Sequence, residues 1–373
     1  MSTSPGARKR LLIVAGARPN FMKVAPLLRE LGRGTYPFEA HLVHTGQHYD
    51  RAMSAVFFED LEIPAPDYHL EVGSGSHAEQ TAKILVRFEA ICRQDRPDLV
   101  IVVGDVNSTL ACSIVAAKLN IPVAHVEAGL RSGDRTMPEE INRIVTDAIS
   151  DYFFVTEASG VDHLVAEGKP KERIFFVGHV MIDNLFHQVE KIARTPPERF
   201  GTHAFKARHR DYGVVTLHRP SNVDDRAVLA GIVGALAELS EELPLIFPVH
   251  PRTRSNLERF GITVPDRLQL TQPLPYLEFL NLFKDARVVL TDSGGLQEET
   301  TALGIPCLTL RDNTERPITV TEGTNQVVGV TPERILAEAR AILAGHGKTG
   351  RRPPLWDGQA AARILHTLQR VLS

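Results

Sequence analysis

PDLVIVVGDVNSTLACSIVAAKLNIPVAHVEAG, residues 97–129, decides the fold. Leu99–Val103 and Pro122–Val126 are near-continuous apolar runs, and the stretch between them has room for one helix. Strands that do not alternate apolar with polar residues are buried on both faces, which calls for a parallel sheet covered by helices. Each run also ends in a carboxylate: Asp105 follows the first through Gly104, and Glu127 follows the second directly. Ligands of open parallel sheets bind outside the carboxyl ends of the strands, so residues in such places are the first candidates for function.

The same unit recurs along the chain. Leu11–Ala15, Ala40–Val43, Tyr152–Val155 and Ile174–Val177 complete a first set of six runs. Gly213–Leu217, Leu245–Val249, Leu268–Leu270, Arg287–Thr291, Cys307–Leu310 and Gln326–Val328 form a second. Between runs, Val24, Leu27, Leu28 and Leu31 repeat at helical spacing and stop at Gly32, a C-cap residue. A chain of 373 residues exceeds one ordinary core. The predicted class is α/β, with two doubly wound Rossmann-like domains facing a central cleft. The expected boundaries are 1–181 and 182–354. A last helix over 357–372, with Ala361, Ile364, Leu365, Leu368 and Leu372 on one stripe, should dock back on the first domain.

Composition narrows the function. Hydrophobic residues make up 43% of the chain and charged residues 23%, and a net charge of −3 supplies no basic field for nucleic acid. Leu11–Ala15, after Arg8-Lys9-Arg10, is too short for a signal peptide core or a membrane span, so no membrane partner is expected. Cys92, Cys112 and Cys307 are odd in number and scattered, as in a reduced, cytoplasmic protein. No G-x-G-x-x-G or G-x-x-x-x-G-K-[ST] pattern occurs, so neither a dinucleotide cofactor nor P-loop chemistry is indicated. His41, His44 and His48 would share a face only on a helix. They lie on a strand entering a loop, so no metal site is expected.

Two stretches carry the candidate chemistry. In TDSGGLQEET (291–300), a strand passes through Ser293-Gly294-Gly295 into a helix, an arrangement that offers backbone N–H groups to a phosphate. Glu298 and Glu299 are read as first-turn carboxylates suited to the helix dipole, or to the two hydroxyls of a ribose. Arg18, Lys23 and Arg316, near other strand ends, favour a diphosphate. In HVEAGLRSGDRTMPEEINR (125–143), Pro138 starts a helix carrying Glu139 and Glu140. Asp105, Glu127 and Glu139 are read as converging, with their pKa values pushed apart into an acid and a base. Glu140 is read as a helix-terminal charge or surface ion pair. His218, ending YGVVTL, is expected to face the carboxylates across the cleft, and His250-Pro251-Arg252 ends a further strand.

Taken together, GARPNFMKVAPL (16–27), TGQHYD (45–50), GDVNSTLA (104–111), residues 125–143, TLHRPSNVD (216–224), PVHPRT (248–253), TDSGGLQEE (291–299) and RDNTERPITVTEGTNQVVG (311–329) resemble the non-hydrolysing UDP-N-acetylglucosamine 2-epimerases. The resemblance implies a GT-B-like fold and a homodimer. It implies reversible inversion at C2 of a UDP-sugar: UDP leaves C1 to give a 2-acetamidoglucal, then adds back with the C2 proton on the opposite face. It also implies site residues. Asp105, Glu127 and Glu139 match acid–base carboxylates, and His218 matches a histidine near the departing diphosphate. Arg18, Lys23, Ser293, Gly294 and Gly295 match nucleotide and phosphate ligands, and Glu299 a ribose ligand. Leu274, through its main chain, and Phe279 match a uracil pocket; Arg316 matches a phosphate or sugar contact, and His250 lies at the same cleft. Asn20 stands where many members carry Glu, and His179 where many carry Asn. His218-Arg219-Pro220-Ser221 replaces the His-Arg-Arg-Glu of members activated by a second substrate molecule. The alternatives are an epimerase of a related UDP-2-acetamido sugar, a hydrolysing epimerase releasing ManNAc, and a GT-B glycosyltransferase.

Overall fold

The structure, a computed structural model, describes residues 8–47, 58 and 61–373, with only the backbone of Arg18. The chain divides into two compact units: Met1–Asn184 with Pro354–Ser373, and Leu185–Pro353.

The first unit holds β1 (Lys9–Ala15), β2 (Phe38–His44), β3 (Tyr68–His69), β4 (Leu99–Val103), β5 (Val123–Val126), β6 (Tyr152–Val155) and β7 (Ile174–Phe176). They form a seven-stranded sheet in the order β3-β2-β1-β4-β5-β6-β7, every pairing parallel. The sequence reading expected six strands. It missed β3, whose two residues are too few to show a pattern. Leu11, Leu12, Ile13 and the whole of β4 are inaccessible or nearly so, as strands covered on both faces must be. Leu12, Val14, Val100 and Val102 pack with Ile84, Phe88, Cys112 and Val115 from the flanking helices.

The last helix, Ala360–Val371, belongs to this unit and buries Ala361, Ile364, Leu365 and Leu368. Its start is held by Asp183, whose carboxylate accepts the Ala360 and Ala361 N–H groups at 3.1 and 2.7 Å. Burial nonetheless raises Asp183 to a pKa of about 6. Gly178 makes the close approach to this segment: at φ +89, a Cβ would lie 2.0 Å from the Leu355 carbonyl oxygen.

The second unit contains β8 (Gly213–Thr216), β9 (Leu245–Pro248), β10 (Leu268–Thr271), β11 (Val288–Thr291), β12 (Cys307–Thr309) and β13 (Asn325–Val327). The order is β10-β9-β8-β11-β12-β13, again parallel throughout. Val215, Leu229, Ile232, Phe247, Leu290 and Leu308 centre its core. Each sheet therefore reverses its winding once, between β1 and β4 in the first unit and between β8 and β11 in the second. Helices diverge at such switch points and leave a crevice at the strand ends. Among the described residues, no helix is long and apolar enough to cross a membrane.

Candidate functional site

In the first unit the switch point is lined by charge. The helix Arg18–Gly32 starts where β1 ends, and it buries Asn20 and Lys23. Asn20 uses both ends of its amide: Oδ1 accepts the Gly16 and Ala17 N–H groups at 3.1 Å each, and Nδ2 donates to the Val103 carbonyl at 3.1 Å. A carboxylate at this position would have no donor for Val103. One turn on, the Lys23 ammonium lies 2.6 Å from the Glu127 carboxylate, with both side chains more than 90% buried. Glu127 directly follows β5 with φ +74, a left-handed conformation that costs a non-glycine residue roughly 1–2 kcal/mol. Gly104 makes room for the pair: at φ +66, a Cβ on it would lie 2.6 Å from Lys23 Nζ.

Asp105 lies beside it at the end of β4, which pairs with β5 through Val103 and Val126. Its carbonyl accepts Asn142 Nδ2 at 2.8 Å, and its carboxylate meets the Arg143 guanidinium at 2.6 Å. Both partners come from the helix Pro138–Ile149, with Pro at its first position as the sequence suggests. Asp105 and Glu127 are thus each matched to a cation.

Glu140 corrects the reading of it as a surface charge. It is 2% exposed and accepts the Ser132 N–H at 2.9 Å, the Gly133 N–H at 3.1 Å and Arg143 Nη1 at 2.9 Å. Burial opposes its charge, but these donors outweigh burial and hold its pKa below the ordinary value. Glu139, half-buried, lies in the first turn of the same helix, and none of the ion pairs or hydrogen bonds among the described residues engages its carboxylate.

Beneath these residues, His125 Nδ1 lies 2.6 Å from Asp147 and Nε2 2.8 Å from the Gly104 carbonyl, with both side chains fully buried. Asp147 also accepts the Gly129 N–H at 3.0 Å and meets Arg131 at 2.8 Å. Burial opposes this carboxylate's charge, yet His125 and Arg131 hold its pKa low. One buried network therefore ties down the turns that follow both β4 and β5.

In the second unit, His218 follows β8 and Asp292 follows β11, on either side of the switch point. His218 Nδ1 is 2.9 Å from the fully buried Asp292, whose carboxylate also accepts the His218 N–H at 2.9 Å and the Arg219 N–H at 2.8 Å. The His250 ring is a neighbour, at 6.2 Å between centroids. His250 itself caps the helix Pro251–Phe260, accepting the Arg252 N–H at 3.3 Å.

Ser293 is the N-cap of the helix Gly294–Leu303 and makes no side-chain capping bond there. The first-turn N–H groups, including those of Gly294 and Gly295, are the donors such a terminus offers to an anion. Glu298 and Glu299 fall in the second turn, not the first as expected, because the helix begins at Gly294. Their environments also differ from a dipole pairing. Glu298 meets Arg316 at 2.7 Å, and Glu299 accepts the Tyr276 hydroxyl at 2.7 Å. Burial raises Glu299 to about 7, with the Tyr276 bond pulling the other way. Glu315 is held below its ordinary value by Arg311, and Arg219 lies 3.5 Å away. Leu274 and Phe279 are half-buried around the start of the helix Tyr276–Phe283, the Phe279 ring 5.2 Å from that of Phe283.

Sequence reasoning did not select Arg143, Asp147, Tyr276 or Asp292 as site residues. Asp292 gave much the same signal as Asp105, a carboxylate at the end of an apolar strand, and Arg143 follows Glu140 at i+3. The other two depend on contacts distant in sequence. His48 lies outside the described residues; His44 packs on Phe21 and Phe58, and burial lowers its pKa to about 4. Among the described residues, no group of three or more His, Cys, Asp or Glu side chains could hold a metal ion.

The chain is similar in sequence and in fold to known proteins. A family model described as UDP-N-acetylglucosamine 2-epimerase matches residues 31–369. The chain is 41% identical over 365 residues to the UDP-N-acetylglucosamine 2-epimerase of Methanocaldococcus jannaschii, covering 96% of this chain and 98% of that one. It is 40% identical over 367 residues to the UDP-2,3-diacetamido-2,3-dideoxy-D-glucuronate 2-epimerase of Pseudomonas aeruginosa, covering 97% and 100%. The crystal structure of the M. jannaschii UDP-GlcNAc 2-epimerase in complex with UDP-GlcNAc and UDP superposes with a TM-score of 0.83 at 40% identity, covering 97% and 99%.

Proposed function

Since the chain belongs to the UDP-N-acetylglucosamine 2-epimerase family, we propose that it interconverts UDP-N-acetylglucosamine and UDP-N-acetylmannosamine without releasing the sugar. The observation that carries this reading is Glu127, held in a strained backbone conformation against buried Lys23 beside the Asp105–Arg143 pair. Strain of this kind persists where the surroundings over-determine it, and it concentrates at functional sites.

The C2 hydrogen of the sugar has no neighbouring carbonyl to acidify it. The C1–O bond must therefore break far ahead of proton loss, and stabilising the departing UDP becomes central. In this reading the first unit moves the proton, with Asp105, Glu127 and Glu139 as the acid–base groups. Lys23 and Arg143 keep the charges of buried Glu127 and half-buried Asp105 matched while protons come and go. The second unit holds the nucleotide: Ser293, Gly294 and Gly295 at the helix N-terminus take the diphosphate, Glu299 the ribose, and Leu274 and Phe279 the uracil. Preorganised donors around a developing anion contribute about 2.7–4 kcal/mol each. The 2-acetamidoglucal then receives UDP again as the proton returns to the other face of C2.

A second reading, epimerisation of a UDP-2,3-diacetamido uronic acid, is favoured by the Pseudomonas relative, whose 40% identity nearly equals the 41% of the M. jannaschii enzyme. An NMR time course in D2O with each UDP-sugar separates them. UDP-ManNAc carrying deuterium at C2, with label also in recovered UDP-GlcNAc, is the expected result. Turnover of the uronic acid alone would transfer the proposal to that substrate, and free ManNAc as the main product would refute the non-hydrolysing reaction.

A further inference from the structure

We infer that Asp292 is a positioning residue that restricts His218 to proton exchange through Nε2 alone. The inference rests on the reading of His218 as the histidine at the departing diphosphate.

The geometry leaves Asp292 little freedom. Its carboxylate is fully buried and accepts four N–H groups: His218 and Arg219 from the main chain, Asn222 Nδ2 at 3.3 Å, and His218 Nδ1. A carboxylate with that many donors is held as the anion, and an anionic oxygen can only accept. Nδ1 must therefore carry a hydrogen in both protonation states of the ring. Neutral His218 is then the Nδ1–H tautomer, with a lone pair on Nε2; protonated His218 presents Nε2–H. The ring is 43% exposed, and none of the hydrogen bonds among the described residues uses Nε2. A partner on one ring nitrogen thus decides what the other can do.

This fits the proposed elimination with its protons balanced. As the C1–O bond breaks, its electron pair stays on the diphosphate oxygen, which takes the proton from Nε2–H. Nε2 is left with a lone pair. On re-addition the oxygen bonds C1 and its proton returns to Nε2. A His218 free to rotate or change tautomer would present the wrong state to the leaving oxygen part of the time.

The test uses the full chain. Long-range 1H–15N NMR, with the His218 signals identified by their absence in His218→Gln, should show neutral His218 of the unsubstituted protein as the Nδ1–H tautomer. Its appearance as the Nε2–H tautomer would overturn the inference without any variant at Asp292. In Asp292→Asn the side-chain amide can donate to Nδ1, so the tautomer should switch. C2 exchange should then fall on the order of 10²–10⁴-fold, while UDP binding by calorimetry stays unchanged. Unchanged turnover in Asp292→Asn with turnover lost in His218→Gln would sink the role of Asp292 and leave that of His218. Unchanged turnover in both variants would remove His218 from the reaction, and this inference with it.

Discussion

Replacing Glu140 by Gln keeps its shape and removes its charge, and the structure shows what that does. One carboxylate oxygen accepts the Ser132 N–H and the Arg143 guanidinium, and the other accepts the Gly133 N–H. Gln offers a single acceptor. In its better orientation it keeps the first two bonds without charge assistance and points its NH2 at the Gly133 N–H. A hydrogen bond to a charged group contributes roughly 1.5–3 kcal/mol, and removing one partner of a buried pair costs roughly 3–5 kcal/mol. Arg143 retains Asp105 as a partner, so the expected loss is about 3–4 kcal/mol. A unit of this size melts about 2–4 °C lower per kcal/mol, which gives a fall of about 6–16 °C.

The pH dependence follows from the depressed pKa of Glu140. Stability from a depressed carboxylate is present above its unfolded value, about 4.3, and is lost as pH falls through its folded value. The melting gap between the original protein and Glu140→Gln should therefore be constant from pH 8 to about 5 and close at lower pH. Calorimetric melts across that range check it. A gap below 1 kcal/mol at neutral pH, or one that widens on acidification, would refute the assignment. Because Arg143 also holds Asp105, C2 exchange should fall on the order of 10–100-fold in the same variant.

Gly104→Ala should lower both the melting temperature and C2 exchange, since the new methyl meets Lys23 Nζ at 2.6 Å on a backbone of φ +66; original values in a melt and an exchange assay would contradict that packing. Glu127→Gln should abolish deuterium incorporation at C2 while calorimetry finds UDP affinity unchanged, and undiminished exchange would exclude Glu127 from the proton path. Glu299 sits at about 7, so if its ionised form binds the ribose, UDP affinity should weaken as pH falls through 7. Tyr276→Phe removes a bond that favours the carboxylate and should move that midpoint upward; a UDP affinity independent of pH from 6 to 8.5 would exclude the ribose role.

The alternation of buried strand and helix was legible in the chain itself. Continuous apolar runs are local signals, and a parallel sheet covered on both faces is nearly the only way to bury them. The ends of those runs nominated Asp105, Glu127, His218 and the Ser293-Gly294-Gly295 turn as candidates, because ligands of open parallel sheets bind outside the carboxyl ends of the strands. What tertiary structure alone decided is how each charge is matched. Lys23 finds Glu127 from 104 positions away, and Asp292 finds His218 from 74. Two charges that far apart in sequence share no periodicity and no spacing rule. Only the strand order, which runs β1-β4-β5 in the first sheet and sets β8 beside β11 in the second, brings them within hydrogen-bond reach. The same applies to Glu140: an acid at the start of a helix looks like a surface charge until the loop at Ser132–Gly133 folds over it and turns it into a buried anchor.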